Sequence, residues 1–291
     1  MFNPKEIKIE DRNLFLSYIG KSENSTLSFT TLFTWSFQNG IRYDITDGCM
    51  ILFFCGKNNC LCTFPYGDGD KISALKKAYE YMKKTTGKPS FALMTEEEAQ
   101  ILNNTFPGEF EIFNDENNQD YVYLTEDLIE LKGNRYQQKR NHLNAFLKNY
   151  EYTYERLSMD NIDEIKALFL KWEEGQKNHD LGESNEATMR LLDNMDKLGV
   201  TAVGIRVDGK LVAFSVGEAL TDDMAHIPIE FADTDYRGAF NVINRDFCAN
   251  EWKDYKYINR EEDMGLEGIR YAKRAYCPVK MVEKYRTRYK G

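Results

Sequence analysis

Long hydrophobic runs are missing from this sequence of 291 residues. Hydrophobic residues make up 42% of it, but no stretch approaches the roughly 20 consecutive apolar residues that a membrane-spanning helix needs. The opening segment MFNPKEIKIE is polar and lacks the apolar core of a signal peptide. We therefore expect a cytoplasmic protein without a transmembrane segment, and peripheral association with the inner membrane face stays open.

Metal-binding and disulfide patterns are also missing among the six cysteines. Cys60-Leu-Cys62 has the wrong spacing for a common zinc knuckle and lacks a partner pair. The other cysteines lie mostly on strand or helix patterns as small buried hydrophobes: Cys49, Cys55, Cys248 and Cys277. The sequence therefore predicts neither a metal site nor a disulfide.

Basic residues are outnumbered by acidic residues in this sequence. The sequence has 38 Lys and Arg against 47 Asp and Glu, a net charge of −9 and a pI near 5.1. Because contacts to nucleic-acid phosphates need a basic surface, this balance argues against bulk nucleic-acid binding.

Two basic islands depart from this average. Residues 132–148 contain no acid, and residues 270–290 contain eight Lys or Arg with the single acid Glu283. The first island holds Lys132, Arg135, Lys139, Arg140 and Lys148. Each island suits a tRNA acceptor stem or an anionic lipid head group, and an ordinary solvated face explains each equally well.

Hydrophobic periodicity predicts the order of elements in the second half. A strand at 152–157 is followed by two helices, at about 160–172 and 184–198, and then by strands at 200–207, 210–220 and 224–231. A helix at 238–252, a short strand at 255–258, a charged helix and a last strand from residue 277 complete it. The order β-α-α-β-β-β-α-β-α-β is that of the GNAT acyltransferase fold.

The first half repeats this order with weaker signals. Its predicted strands lie near residue 7 and at 41–46, 49–55, 61–64, 91–94 and within 110–124, and its helices at 12–19, 30–37, 72–84 and 95–103. The repetition indicates an internal duplication. We predict an α+β protein with two GNAT domains, residues 1–130 and 131–291, each a mixed and mostly antiparallel sheet flanked by helices.

The segment 259–280, NREEDMGLEGIRYAKRAYCPVK, places nine charges of both signs between two predicted core strands. Charge is costly there unless the groups pair with each other or line a solvated site. A salt-bridged, solvated helix is the simpler explanation.

Three segments carry a resemblance to a known family: LKGNRYQQKRNHLNAF, DTDYRGAFNVIN and NREEDMGLEGIRYAKRAYCPVK. They resemble the DUF2156 family, which is similar to the C-terminal catalytic domain of phosphatidylglycerol lysyltransferases and belongs to the tandem-GNAT, FemABX-like aminoacyltransferases. The resemblance implies transfer of an aminoacyl group from a charged tRNA to a lipid head group, a sugar or an amine. It implies no resident cofactor, with aminoacyl-tRNA as co-substrate.

The loop after the fourth strand of the second half bears on the acyl donor. CoA-dependent GNAT enzymes carry Q/R-x-x-G-x-G/A there, so that amides at a helix N-terminus cradle the pyrophosphate. This chain has DTDYRGAFNVI, with Phe240 at the second small-residue position and with Asp233 and Asp235 adding negative charge. The corresponding loop of the first half, PYGDGDK, is acidic as well. This pattern favours aminoacyl-tRNA over CoA without excluding CoA.

The candidate site residues come from the charged segment and from the first basic island. Arg237 and Arg270 are candidates for stabilising an oxyanion or a phosphate, and Glu261 and Asp263 for binding the aminoacyl ammonium or acting as a base. Together with Lys273 they are the predicted catalytic residues, at positions that match the lysyltransferase catalytic block. The predicted substrate-binding residues are Arg135, Lys139, Arg140, Asn259, Glu267 and Lys280.

Two histidines are further titratable candidates. His226 lies in the apolar strand MAHIPIEF, which favours a buried, hydrogen-bonded histidine, and His179 lies in a loop between two helices, where it is a candidate lid residue. Three functions stay open: a tRNA-dependent aminoacyltransferase, a CoA-dependent N-acyltransferase and a non-catalytic double-GNAT binding protein.

Overall fold

A computed structural model describes residues 2–56, 60–175 and 182–291. The helices in these ranges are α1 (Arg12–Ile19), α2 (Phe29–Trp35), α3 (Lys71–Thr86), α4 (Glu96–Thr105), α5 (Thr125–Glu130), α6 (Gln137–Asn149), α7 (Ile162–Gly175), α8 (Gly182–Leu192), α9 (Met195–Leu198), α10 (Ala239–Glu251) and α11 (Glu267–Arg274). None of these described helices is both long and apolar enough to cross a membrane.

The strands in the same ranges are β1 (Lys5–Glu6), β2 (Ile41–Thr46), β3 (Cys49–Cys55), β4 (Cys60–Cys62), β5 (Phe110–Asn114), β6 (Asp120–Leu124), β7 (Tyr152–Leu157), β8 (Thr201–Val207), β9 (Lys210–Ala219), β10 (Met224–Ala232), β11 (Tyr257–Asn259), β12 (Lys280–Val282) and β13 (Tyr285–Tyr289). The predicted order is therefore found in the second half, with the short helix α9 added before β8. The α+β class and the GNAT-like architecture are confirmed.

The chain divides into two compact units, Met1–Asp120 with Val282–Gly291, and Tyr121–Met281. The boundary lies ten residues before the one predicted from the sequence, and the last ten residues belong to the first unit. Strand pairing is the reason. The predicted strand pair within 110–124 does not form, because β5 pairs with β13 while β6 joins the sheet of the second unit.

The first unit contains a four-stranded sheet in the order β1-β2-β3-β4 and the pair β13-β5. Helix α3 is capped by Asp70, whose carboxylate accepts from the Ser73 amide at 2.9 Å, and the apolar stripe of the helix packs into a core with β3. The predicted strand at 91–94 is reduced to two isolated bridges, from Phe91 to Cys62 and from Met94 to Tyr285.

The expectation that no cysteines pair is wrong for Cys55 and Cys60, which form a disulfide. The two residues lie opposite each other at the end of the antiparallel β3–β4 pair, with Cα atoms 4.0 Å apart. Their spacing in the sequence gives no sign of this proximity, because it depends on the register of the two strands.

The second unit contains a seven-stranded sheet in the order β12-β6-β11-β10-β9-β8-β7. Strands β10 and β11 are parallel, whereas β11 pairs antiparallel with β6 and β10 antiparallel with β9. Helix α10 packs on one face, where Phe247 meets Gly217. Helix α7 packs on the opposite face, where the ring of Phe169 lies 5.0 Å from that of Phe231.

Candidate functional site

A bulge in β10 divides the polar residues of the second unit between the two faces of the sheet. His226 lies opposite Glu218 of β9 and Glu230 lies opposite Ser215, with the register shifted by one residue between His226 and Ile229. Residues four apart share a face of a regular strand, so the bulge turns His226 and Glu230 to opposite faces. Two polar clusters follow from this arrangement.

The first is the histidine cluster, formed by Glu218, His226 and Glu261. Nδ1 of His226 lies 3.2 Å from the Glu218 carboxylate, and Nε2 lies 3.1 Å from that of Glu261. The imidazole is fully buried, while the Glu261 side chain is 26% exposed. Burial disfavours the imidazolium, but the two carboxylates outweigh it and raise the pKa of His226 to about 9. At neutral pH the imidazolium donates to both carboxylates.

The backbone at Glu261 is strained. Its φ of 60° lies in the left-handed region, where residues other than glycine are uncommon. The Asn259 side-chain oxygen accepts from the Glu261 amide at 2.8 Å, and the Glu261 carbonyl accepts from the Tyr121 amide at 3.1 Å. Such strain is found at functional sites when the surroundings fix it, and Asn259 supplies part of that support.

The second is the arginine cluster, formed by Glu230, Arg260 and Tyr276 between β10, α10 and the segment after β11. The Arg260 guanidinium donates to Glu230 at 3.0 Å, and Asn244 of α10 donates to the other carboxylate oxygen at 3.1 Å. Burial disfavours the charge on Arg260, yet Glu230 outweighs it and raises the pKa of the guanidinium. The guanidinium also lies over the Tyr276 ring, 5.3 Å from its centroid.

The buried Asp263 and the partly exposed Arg270 form a two-pronged ion pair that holds the turn after β11 against α11. Nε and Nη2 of Arg270 donate to the two carboxylate oxygens at 2.8 and 2.9 Å. The same carboxylate accepts from the Tyr121 hydroxyl at 2.6 Å and from the Gly265 amide at 2.8 Å. The Arg270 guanidinium is the main cause that lowers the pKa of Asp263 to about 2. The Asp263 carboxylate accepts four hydrogen bonds and its side chain is 1% exposed. Asp263 therefore fixes the conformation of the turn.

Lys273 also braces this turn. Its ammonium donates to the carbonyl of Arg260 at 2.6 Å and to the carbonyl of Glu262. Its own carbonyl accepts from the Tyr123 hydroxyl at 2.9 Å. Lys273 therefore fixes the backbone between the two clusters.

The predicted catalytic residues are divided between separate networks. Glu261 belongs to the histidine cluster, whereas Asp263 pairs with Arg270. Arg237 is exposed in the loop between β10 and α10. After this loop α10 returns to the arginine cluster, where Asn241 donates to the Tyr276 hydroxyl at 2.9 Å.

The predicted substrate-binding residues in α6 and in the segment before it make contacts within the protein. Arg135 pairs with Asp127 at 2.8 Å, and Arg140 donates to the carbonyls of Leu131 and Gly133. The Lys139 ammonium lies 3.9 Å from the Tyr276 ring centroid, and burial, with the nearby Arg260 charge, lowers its pKa. Lys139 therefore borders the arginine cluster.

The other sequence candidates are spread along the charged segment. Glu267 is exposed in the first turn of α11, and the Lys280 ammonium lies 4.6 Å from the ring centroid of Tyr257. His179 lies outside the described residues.

The loop after β10 does not fit a pyrophosphate. Asp233 is 1% exposed and pairs with Lys171 of α7 at 2.6 Å and with Lys210 at 3.2 Å. The amides of Asp235 and Tyr236 donate to the side chain and the carbonyl of Asp233. An incoming phosphate would meet a buried carboxylate and amides that already have acceptors.

Helix α6 covers the N-terminus of α10 at Gly238. A Cβ at this position would lie 2.2 Å from the carbonyl oxygen of His142 and 3.1 Å from the Phe146 side chain. The φ of 94° also requires glycine. The glycine therefore serves helix packing, and space for a phosphate is taken by the α6 backbone.

The corresponding loop of the first unit is closed in a similar way. A Cβ on Gly69 would lie 2.1 Å from the carbonyl oxygen of Asp47 in the β2–β3 turn, and Asp70 caps α3. Across the residues that the structure describes, no group of three or more His, Cys, Asp or Glu side chains could hold a metal ion.

Sequence reasoning assigned no role to Glu218, Glu230, Arg260 or Tyr276. A glutamate near the end of the apolar strand AFSVGEAL was a usable signal for Glu218. The bulge that aims Glu230 towards α10 leaves no pattern in the sequence. His226 is buried and hydrogen-bonded as predicted, but its partners are two carboxylates.

Comparisons with known proteins agree with this fold. A 32% identical structure of unknown function from Bacteroides thetaiotaomicron superposes with a TM-score of 0.90 over 100% of both chains. L-PGS from Bacillus licheniformis has a TM-score of 0.68 at 15% identity, covering 100% of this chain and 95% of that one. A DUF2156 C-terminal domain from Agrobacterium fabrum has a TM-score of 0.69 at 15% identity, covering 97% and 92%.

An uncharacterised protein from Mycoplasmoides gallisepticum is 24% identical over 173 residues, which are 58% of this chain and 56% of that protein. This chain therefore matches little more than half the length of that relative. The family model described as phosphatidylglycerol lysyltransferase, C-terminal, matches residues 19–288. The chain belongs to the phosphatidylglycerol lysyltransferase C-terminal family.

Proposed function

We propose that this protein is an aminoacyltransferase that moves an aminoacyl group from a charged tRNA to a lipid head group, a sugar or an amine. Membership of the lysyltransferase family supports the reaction class. The observation that supports the choice of donor is the crowded N-terminus of α10, where the His142 carbonyl of α6 lies against Gly238 and the nearby Asp233 carboxylate is buried.

Glu261 is the residue that we assign to the aminoacyl ammonium. Its carboxylate is partly exposed, its other contact is the buried His226, and its backbone is fixed by Asn259. A carboxylate that is 26% exposed beside a buried imidazole is a suitable acceptor for an ammonium. Holding the donor by its ammonium would fix the adjacent ester carbonyl for attack, which is the main demand of this reaction.

The reaction itself is balanced without a cofactor. The acceptor O–H or N–H attacks the ester carbonyl, the ester C–O bond breaks, and the terminal ribose oxygen leaves with the proton that the acceptor loses. We expect basic side chains of the second unit to bind the tRNA phosphates. Lys139 beside Tyr276 and the exposed Arg237 are our candidates.

The test is a transfer assay with total tRNA charged with one radiolabelled amino acid at a time. We expect label from at least one aminoacyl-tRNA to move into a lipid, sugar or amine acceptor supplied as a bacterial membrane and precursor extract. Glu261→Gln should reduce the rate at least tenfold while its melting temperature stays near that of the parent. Glu126→Gln, which changes an exposed acid of α5, is the matched control and should transfer at the parental rate.

Two results would count against the proposal. One is hydrolysis at the buffer rate with every aminoacyl-tRNA and no labelled product. The other is transfer of an acyl group from CoA to an amine by the same preparation. The first result would leave the non-catalytic binding protein as the better account, and the second would favour the N-acyltransferase.

Peripheral association with the membrane is part of this proposal where the acceptor is a lipid. None of the described helices is both long and apolar enough to span a bilayer.

A further inference from the structure

Exposed apolar side chains are concentrated around α11. Ten large apolar side chains are exposed in the described part of the chain, and four of them lie between residues 264 and 279. They are Met264 (52% exposed), Leu266 (50%), Tyr271 (73%) and Val279 (43%). Concentrated apolar exposure of this kind marks an interaction surface, whereas scattered single residues do not.

The turn that exposes these residues is held in place. The ion pair between Asp263 and Arg270 ties the turn to α11, and Lys273 ties α11 back to the carbonyls of Arg260 and Glu262. Met264 and Gly265 both have positive φ, 52° and 75°, so the chain turns sharply between Asp263 and α11. These contacts fix Met264 and Leu266 outward, and none of the residues of α11 is buried.

The charge of the same segment is positive. Residues 264–280 contain Arg270, Lys273, Arg274 and Lys280 against the acid Glu267, with the charge of Arg270 balanced by Asp263, on a protein whose net charge is −9. Arg274 is exposed, three residues after Tyr271 and therefore on the same side of the helix. Apolar side chains beside exposed basic ones are the composition of segments that lie in a membrane interface.

We infer that Met264, Leu266 and Tyr271 form a docking edge that inserts into the surface of a bilayer with anionic lipid head groups. This inference rests on the proposed function, because the edge adjoins the turn that carries Glu261 and would bring an amphiphilic acceptor to it. The tyrosine is suited to the head-group level, where one end of its side chain is apolar and the other is wet.

A bilayer fits this edge better than RNA or a second copy of the chain. RNA would stack on Tyr271 but would gain nothing from Met264 and Leu266, which are aliphatic. A second copy would bring two segments of the same positive charge together, which opposes pairing. Anionic head groups complement the basic residues, and the acyl region complements the apolar ones.

The experiment is sedimentation of the full chain with extruded vesicles at low salt. One set contains phosphatidylglycerol and phosphatidylcholine in equal amounts, and the other contains phosphatidylcholine alone. We expect the parent to bind the anionic vesicles at least tenfold more strongly than the neutral ones. Met264→Ser, Leu266→Ser and Tyr271→Ser together should reduce this binding at least tenfold without lowering the melting temperature, because all three side chains are exposed.

The matched control replaces Phe37 and Ile72 with serine, since both are exposed apolar residues of the first unit, 77% and 40% exposed. It should bind as the parent does. Equal binding of the triple variant and the parent would overturn the inference, as would parental binding to neither vesicle. So would a triple variant that loses tRNA affinity alone, or that turns a parental dimer into a monomer. The vesicle assay contains no tRNA. A protein that binds vesicles but does not transfer an aminoacyl group would therefore contradict the proposed function and leave the docking edge supported.

Discussion

His226 and Glu261 are held 3.1 Å apart, Nε2 to carboxylate, although 35 residues separate them in the sequence. The contact joins β10 to the strained turn after β11, and Glu218 supports the imidazole from its other nitrogen. A histidine whose pKa is raised to about 9 between two carboxylates holds the Glu261 side chain in a fixed position. We base the assignment of Glu261 to the substrate ammonium on this relationship.

The first prediction concerns pH and stability. The pKa of His226 is raised on folding from 6.5 to about 9, so the folded state binds the proton more tightly than the unfolded state. The resulting stabilisation is fully present below about pH 6.5 and is lost as the pH rises through about 9. The difference in melting temperature between the parent and His226→Gln should therefore be large at pH 6 and small at pH 10.

The control for this measurement is His142→Gln, which changes a half-exposed histidine on α6. Its difference from the parent should be small at both pH values. A difference between the parent and His226→Gln that is the same at pH 6 and pH 10 would show that the imidazole is not held as a cation.

The second prediction is that Asp263 and Arg270 act on stability. Arg270→Ala leaves a buried carboxylate without its main partner, which should lower the free energy of unfolding clearly more than a change at an exposed acid does. Asp263→Asn should cost a similar amount, because the amide cannot accept from all four donors. Urea denaturation measures both. The exposed Glu267→Gln should change stability by less than about 0.5 kcal/mol, and parental stability in both Asp263→Asn and Arg270→Ala would contradict the structural role.

The third prediction concerns CoA. Because α6 and Asp233 fill the region at the N-terminus of α10, millimolar acetyl-CoA should leave the melting temperature of the parent unchanged. Binding at a concentration far above Kd would raise it. A clear rise in melting temperature with acetyl-CoA that disappears in Arg237→Trp would place CoA at the loop before α10 and contradict the closed geometry.

The fourth prediction is salt-dependent binding of aminoacyl-tRNA. The slope of log Kd against log salt reports the number of phosphate contacts. Arg135→Glu with Lys139→Glu should weaken binding at least tenfold and reduce this slope, while Arg140 is left intact because it holds the Leu131 and Gly133 carbonyls. Lys197→Glu with Lys253→Glu, two exposed lysines of the second unit, gives the same change in charge elsewhere. If both pairs have the same effect, the binding reports net charge and not a surface on α6.

Much of the fold could be predicted from the sequence, because period and turn residues act locally. Helix α1 and strands β2 and β3 begin and end where their hydrophobic pattern does. Pairing over long distances could not be predicted. The alternation of the C-terminal segment shows a strand, but the sequence does not show that β13 pairs with β5 while β12 lies beside β6.

The site was predictable only as a region. The density of charge in residues 259–280 pointed to the turn and to α11. The structure places there the contact of Glu261 with His226 and the ion pair of Asp263 with Arg270. The division of labour was not predictable, since it depends on a one-residue bulge in β10 and on positive φ at Glu261. Neighbouring residues Arg260 and Glu261 consequently enter different clusters.

The most direct test of the account is a comparison of two radiolabelled donors on one preparation of the full chain. The preparation is given aminoacyl-tRNA or acetyl-CoA with the same acceptor extract, and labelled product is counted. The account predicts transfer from aminoacyl-tRNA, loss of at least tenfold in Glu261→Gln, and none from acetyl-CoA. Product from acetyl-CoA alone, or equal transfer from aminoacyl-tRNA by the parent and Glu261→Gln, would contradict it.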